Sequence, residues 1–230
     1  MCRCSRAPAA GRGDTVSGAV TVVGIGGSTD PGSTSERAVR IALAAAARRG
    51  ARTRLIGGPG LVLPLYDAAG AGRSARGREL VASVASADGI IIGTPAYHGS
   101  ISGMVKNALD YVEELRTDER PYFSERAVGC ISVARGSQGA GSALAALRTT
   151  VHALRGWPTP LGVTVNTGPT PSGSGERLDD LRMRERLELL GNQVVEFALM
   201  HRAWTTHPLE EAVPEPPGTQ HVQLRRGRGG

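Results

Sequence analysis

One stretch of the chain constrains the fold more than any other. Gly89-Ile90-Ile91-Ile92-Gly93 runs through Thr94-Pro95-Ala96-Tyr97-His98-Gly99 into Ser100-Ile101-Ser102-Gly103-Met104-Val105-Lys106-Asn107-Ala108-Leu109-Asp110. The first part is an unbroken apolar run with no polar alternation, as in a parallel strand covered on both faces. The last part places Met104, Val105, Ala108, Leu109 and Val112 at helical spacing. Strand, stiff Pro-Gly loop and helix in succession belong to an open α/β sheet, whose ligands bind beyond the carboxyl ends of the strands.

The same alternation recurs along the chain. Strands are expected at residues 19–25, 52–56, 89–92, 127–133 and 159–165, and helices at 35–49, 74–87, 102–115, 143–154 and 176–203. Between residues 57 and 72 the chain reads as irregular, with Leu61 to Leu65 as a short extended piece. Strict alternation implies a doubly wound parallel sheet in three α/β/α layers. Five strands suit the flavodoxin-like order 2-1-3-4-5. Residues 19–204 form the expected domain. Residues 1–18 and 205–230 lack apolar periodicity and read as flexible tails.

Composition narrows the functional classes. The 230 residues carry a formal charge of +6 but only 3% aromatics, and the arginines are scattered rather than set in a stripe. That argues against a base-stacking nucleic-acid platform, while a mildly positive field attracts phosphate-bearing ligands. Three cysteines, Cys2, Cys4 and Cys130, give no disulfide framework, and no His or Cys cluster completes a metal site around Cys2 and Cys4. No stretch approaches the roughly 18 apolar residues of a membrane span, and the N-terminus lacks the apolar core of a signal peptide. A reducing cytoplasm is the expected compartment.

Three polar loops follow neighbouring strands, so their tips should converge. The first, Gly26 to Ser35, offers hydroxyls at Ser28, Thr29, Ser33, Thr34 and Ser35. Its glycines admit close backbone approach to a phosphate, and the following helix aims its positive end at the same point. Ser33 or Thr34 could also cap that helix without any ligand. The loop lacks the Gly-Lys-Ser/Thr ending of a phosphate-binding P-loop, and Thr29 stands where a dinucleotide fingerprint needs its third glycine. In the second loop Pro95 stiffens the turn, Gly99 and Gly103 allow close approach, and backbone amides could meet a flat heterocycle beside Tyr97 and His98. His98 is a candidate general acid, set against the plainer reading of a polar loop neighbour. Lys106 and Asp110, four residues apart, suit a mutual ion pair. The third loop is the glycine-rich turn Arg135 to Gly141.

These loops resemble those of the NADPH-dependent FMN reductase family, a flavodoxin-like group of flavin, quinone and azo reductases. The family's phosphate loop is matched by Gly27-Ser28 and Ser33-Thr34-Ser35, and its Thr-Pro-x-Tyr signature with following Gly, Lys and Asp by Thr94-Pro95-Ala96-Tyr97, Gly103, Lys106 and Asp110. The likeness spans about residues 19 to 200. It implies a non-covalent FMN with NADPH or NADH as co-substrate. Ser28, Ser33, Thr34 and Ser35 would hold the phosphate. Thr94, Pro95, Ala96, Tyr97, His98 and Gly99 would line the ring, with Arg135, Gly136 and Ser137 closing over its edge. It also implies a homodimer or homotetramer whose partner helps to wall the pocket. Asp30 departs from the Arg that many members carry two residues after the loop serine; the acid must point outward, or Arg37 or another base must compensate.

Other classes fit less well. An NADP dehydrogenase is weakened by the broken glycine fingerprint and the missing Tyr-x-x-x-Lys pair, and a serine hydrolase by the missing Gly-x-Ser-x-Gly elbow. A flavin-binding redox sensor without turnover, or a supplier of reduced FMN to a monooxygenase, remains open at this stage.

Overall fold

The computed structural model describes residues 18–70, 74–169 and 176–206. Cys2, Cys4 and nearly all of both expected tails lie outside the described residues.

Seven strand segments build one sheet: β1 (Thr21–Gly26), β2 (Arg52–Ile56), β3 (Gly89–Tyr97), β4 (Ser100–Ile101), β5 (Ala127–Ala134), β6 (Trp157–Pro158) and β7 (Val163–Asn166). The order is β2-β1-β3-β5-β6, with β7 on the same flank of β5 as β6. These six are all parallel, and β4 alone folds back antiparallel on β3. The helices are α1 (Thr34–Arg48), α2 (Ala75–Ala85), α3 (Gly103–Asp110), α4 (Ser137–Ala153) and α5 (Leu181–Thr206).

Strand side chains alternate between faces, which sorts the core into two layers. Val22, Ile91 and Ile131 pack beneath α1 and α5 with Ala38, Ala42, Leu187 and Val194. Val23, Ile25, Ile90, Ile92 and Val128 pack beneath α2, α3 and α4 with Leu80, Leu109 and Leu147. The expected five-position parallel order and three-layer architecture are therefore the observed ones.

At the amino edge of the sheet, the buried Arg126 donates to the carbonyls of Ala85, Ala87, Arg120, Tyr122 and Ser124. Burial pulls its guanidinium down to about 10, with neighbouring Arg120 adding to the shift. Nε and Nη2 take one carbonyl each and Nη1 shares its two hydrogens among three, so this cation braces the end of the sheet opposite the loops described below.

Several local expectations are corrected. The last strand is two short pieces rather than one run over 159–165: the Thr159 amide still donates to Val128 of β5, but residues 160–162 leave the sheet and the Thr159 hydroxyl donates to the Leu161 carbonyl. Thr94 to Tyr97 is not loop but a continuation of β3, and β4 pairs with it as a hairpin. Helix α4 starts at Ser137, six residues before the expected start, so most of the third loop is its first turns. Its buried Ala140, Ala143 and Leu147 recur at helical spacing, and that packing overrides the low propensity of Gly139 and Gly141. The third expected helix ends at Asp110 and tightens into a 3-10 turn over Tyr111–Leu115. The final helix begins at Leu181 rather than Glu176 and runs to Thr206, two residues past the expected domain edge. The expected extended piece at 61–65 begins instead as the end of a 3-10 turn, Gly58–Leu61.

Candidate functional site

The tips of β1, β3, β5 and β7 meet at the carboxyl edge of the sheet around a cleft of about 430 Å³. Its walls are Ser28, Ser33, Thr34 and Ser35 from the first loop and helix, Pro95, Ala96 and Tyr97 from β3, Val133, Ala134 and Arg135 from β5, and Thr167 after β7.

The first two loops are locked together by backbone. The Gly27 amide donates to the Gly93 carbonyl at 2.7 Å. A Cβ on Gly27 would fall 2.4 Å from that oxygen and from Val105 Cγ2, so only glycine permits the approach. Beneath them, Thr94 Oγ1 donates to the Pro95 carbonyl and accepts the Ser102 amide at 3.0 Å. Ser102 Oγ in turn accepts the Val105 amide, capping α3, and donates to the Gly27 carbonyl.

On the hydroxyl side, Ser33 caps α1 by accepting the Glu36 amide at 3.4 Å, and its Oγ lies 3.3 Å from that of Ser35. Ser28 Oγ accepts the Asp30 amide. Asp30 itself is exposed and lies outside the cleft wall, as does Arg37. Among the described residues the wall has no carboxylate; hydroxyls, the amino end of a fifteen-residue helix and one arginine are groups that suit an anion.

On the opposite side, Thr167 straps the β5 tip by donating its amide to the Ala134 carbonyl at 2.8 Å and its hydroxyl to the same oxygen. Gly168 packs so tightly there that a Cβ would sit 1.8 Å from the Arg135 carbonyl. The Arg135 backbone is therefore pinned, while its exposed guanidinium has no hydrogen bond or ion pair with any described residue.

The residues singled out in the sequence do not all reach the wall. Eight of them line it: Ser28, Ser33, Thr34, Ser35, Pro95, Ala96, Tyr97 and Arg135. Thr94 is fully buried behind it. His98 and Gly99 form the exposed two-residue tip of the β3–β4 hairpin with φ of 51° and 78°, a turn in which both central residues are left-handed. Gly136 is the extended N-cap of α4 and Ser137 its first residue, both exposed beside the wall. Lys106 and Asp110 pair with each other at 2.6 Å on α3. Val133 and Thr167 were missed, while Ala134 opens the third loop; the rule that ligands collect beyond parallel strand ends points to both missed residues. Cys130, buried on β5, is held as a thiol, pushed up to about 12 by burial.

Fold and cleft define a flavodoxin-like α/β protein with a ligand seat at the carboxyl edge of its sheet. Within that class the chain belongs to the NADPH-dependent FMN reductase family, which it matches over residues 20–170. It is 31% identical over 122 residues to the FMN-dependent NADPH-azoreductase of Staphylococcus aureus, a match covering 52% of this chain and 61% of that one. The match therefore spans less than two thirds of that relative's length. Among solved structures, RosB with a bound riboflavin-phosphate intermediate superposes with a TM-score of 0.64 at 13% identity, over 92% of this chain and 99% of RosB. An apo NADH:FMN oxidoreductase superposes at 0.56 and 20% identity, over 79% and 89%. At those identities the likeness is one of fold.

Proposed function

We propose that this chain is an NAD(P)H-dependent oxidoreductase that holds FMN non-covalently in the cleft and passes electrons to a small acceptor such as free flavin, a quinone or a similar compound. The observation that carries the reading is the meeting of a hydroxyl-lined helix end and an apolar ledge in one cleft with no carboxylate among its described residues. The fit is chemical as well as spatial: an anionic tail finds donors at Ser28, Ser33, Thr34 and Ser35, and a flat ring finds Pro95, Ala96 and Tyr97 beside Val133 and Ala134. When bound, FMN supplies the hydride and electron chemistry, so the protein needs no nucleophile or general base. Its own residues bind and orient. The α1 amides and serine hydroxyls hold the phosphate, and the hairpin carrying His98 and Gly99 borders the ring. Amides at Gly136 and Ser137 offer partial positive charge near the ring edge, and the exposed Arg135 guanidinium offers a partner to the phosphate of the nicotinamide cofactor. NADPH or NADH would stack from the open side.

Tyr97, 58% exposed on the ledge, supports a homodimer or homotetramer in which a partner walls the open side. No helix among the described residues is long and apolar enough to cross a membrane.

Purified protein incubated with FMN is expected to keep yellow absorbance through gel filtration and to oxidise NADPH when a quinone or flavin is added. Release of the flavin during filtration with turnover intact would mark it as a diffusible substrate of the kind handed to a monooxygenase. Bound flavin without turnover would mark a sensor. Neither binding nor turnover would overturn the proposal.

A further inference from the structure

A second cavity, of about 220 Å³, opens at the amino edge of the sheet, the end opposite the cleft. It lies where Asp88 precedes β3, where the 120–126 segment leads into β5, and beside the last turns of α5. Its chemistry is ionic: Asp88, Arg120, Glu125, His201 and Arg202 are among its walls.

Two of these charges are already engaged. Asp88 Oδ2 accepts the Thr21 amide and Arg202 Nη2, each at 2.7 Å. Arg202 Nη1 donates to the Gly18 carbonyl as well, so this pair fastens α5 to the start of β1.

Arg120 is held differently. Its Nη2 donates to the Ala87 carbonyl at 2.6 Å, the same oxygen that takes Arg126 Nε at 3.0 Å. Two guanidiniums thus converge on one neutral acceptor. The crowding has a cause in the backbone. Tyr122 and Glu125 are left-handed, at φ of 54° and 66°, and the segment bends so that the carbonyls of Arg120, Tyr122 and Ser124 turn onto Arg126. The Arg120 Nε–H is left buried without a hydrogen bond, and Glu125 Oε2 stands 3.6 Å from it, longer than a hydrogen bond.

We infer that this cavity is a binding site for a small oxyanion, a carboxylate or phosphate group received by Arg120 beside Arg202, separate from the cleft and independent of the flavin reading. A buried cationic N–H without an acceptor is costly, and a charged oxygen satisfies it better than a neutral one. The field has the same sign. Arg120 and Arg202 balance Asp88 and Glu125 in the wall, and Arg126 adds a third cation beside Arg120. Asp118 is exposed and is the least of the charges acting on Arg126. Size limits the ligand. The cavity exceeds several-fold the roughly 30 Å³ of one water, yet falls below the ~300 Å³ at which sites for drug-sized ligands begin. A phosphate or a short carboxylic acid fits, and a nucleotide does not.

Glu125 is the rival anion. Its side chain is 47% exposed, and an incoming oxyanion displaces it without breaking a hydrogen bond to any described residue. Removing the Glu125 charge should therefore strengthen binding, whereas removing that of Arg120 should weaken it.

Full-length protein with excess FMN, which on the proposed reading keeps phosphate out of the cleft, is titrated calorimetrically with inorganic phosphate and separately with succinate. Sodium chloride of equal ionic strength is the reference. At least one of the two anions should bind: phosphate alone marks a phosphate-bearing ligand, succinate alone a carboxylic acid, and both a general oxyanion seat. Affinity should fall about tenfold in Arg120→Gln and rise about threefold in Glu125→Gln. Should Arg120→Gln fail to fold, the gain in Glu125→Gln decides alone. Heats no greater than those of chloride would overturn the inference. So would wild-type affinity in either folded variant, which would place the anion elsewhere.

Discussion

The amide of Gly27 reaches the carbonyl of Gly93 at 2.7 Å, joining the turn after β1 to the strand that carries the apolar ledge. Hydroxyl seat and ledge are thus one rigid object. Gly27→Ala would drive a methyl into that carbonyl and into Val105. Overpacking of this kind costs about 1–3 kcal/mol. Denaturant unfolding should show that loss, and FMN titration a weakened affinity because seat and ledge are pushed apart.

Ser33 both caps α1 and faces the cleft. Replacing an N-cap serine costs about 1 kcal/mol with alanine but only a few tenths with glycine. Ser33→Ala is expected to lower stability and FMN affinity together. Ser33→Gly should keep stability and still lose affinity, by about five- to tenfold for one hydrogen bond. Equal FMN affinity in Ser33→Gly and wild type, read by fluorescence titration, would remove the hydroxyl from the phosphate site.

Among the described residues lining the cleft Arg135 alone is charged, with its backbone pinned by Gly168 and its side chain free of described partners. Arg135→Gln is expected to raise KM for NADPH about fivefold, the size of an exposed ionic contact of about 1 kcal/mol. The kcat should change little. Steady-state kinetics with a fixed acceptor would show it, and a fall in kcat at constant KM would place the residue at the ring instead.

Cys130 supplies a pH test. Its thiol is raised from an ordinary 9 to about 12 by burial, so the unfolded chain releases the proton first as pH rises. The folded state is therefore favoured fully below pH 9, and this contribution falls away between about pH 9 and 12. Three units correspond to about 4 kcal/mol at most. A Cys130→Ala variant should unfold with a weaker dependence on pH over 9–11. With Cys2 and Cys4 replaced by serine, the remaining thiol should react with a disulfide reagent only at the rate of global unfolding.

The strand order was legible because Gly89 to Gly93 and Ala127 to Val133 are apolar without alternation, which only a doubly covered parallel strand explains. The meeting of the loops followed from that order. The start of α4 was not legible: three glycines between Gly136 and Gly141 speak for a turn, and only the packing of Ala140 and Ala143 on the sheet makes a helix of them. The end of β3 was hidden for a related reason. Pro95 and Gly99 signal a loop, yet the partner strand β4 is only two residues long and has no pattern of its own. Thr94 is invisible as a scaffold residue from sequence, since nothing in a Thr-Pro pair tells that the hydroxyl will turn inward toward Ser102.

That inward turn of Thr94 separates display from joinery. The groups that knit the cleft, namely Gly27, Thr94, Ser102 and Thr167, bond to backbone and to one another, whereas Tyr97 and Arg135 look outward. On the proposed reading, exchanging the outward pair while the frame stays as it is alters which acceptor the cleft admits, and Tyr97 and Arg135 are the natural places to do so.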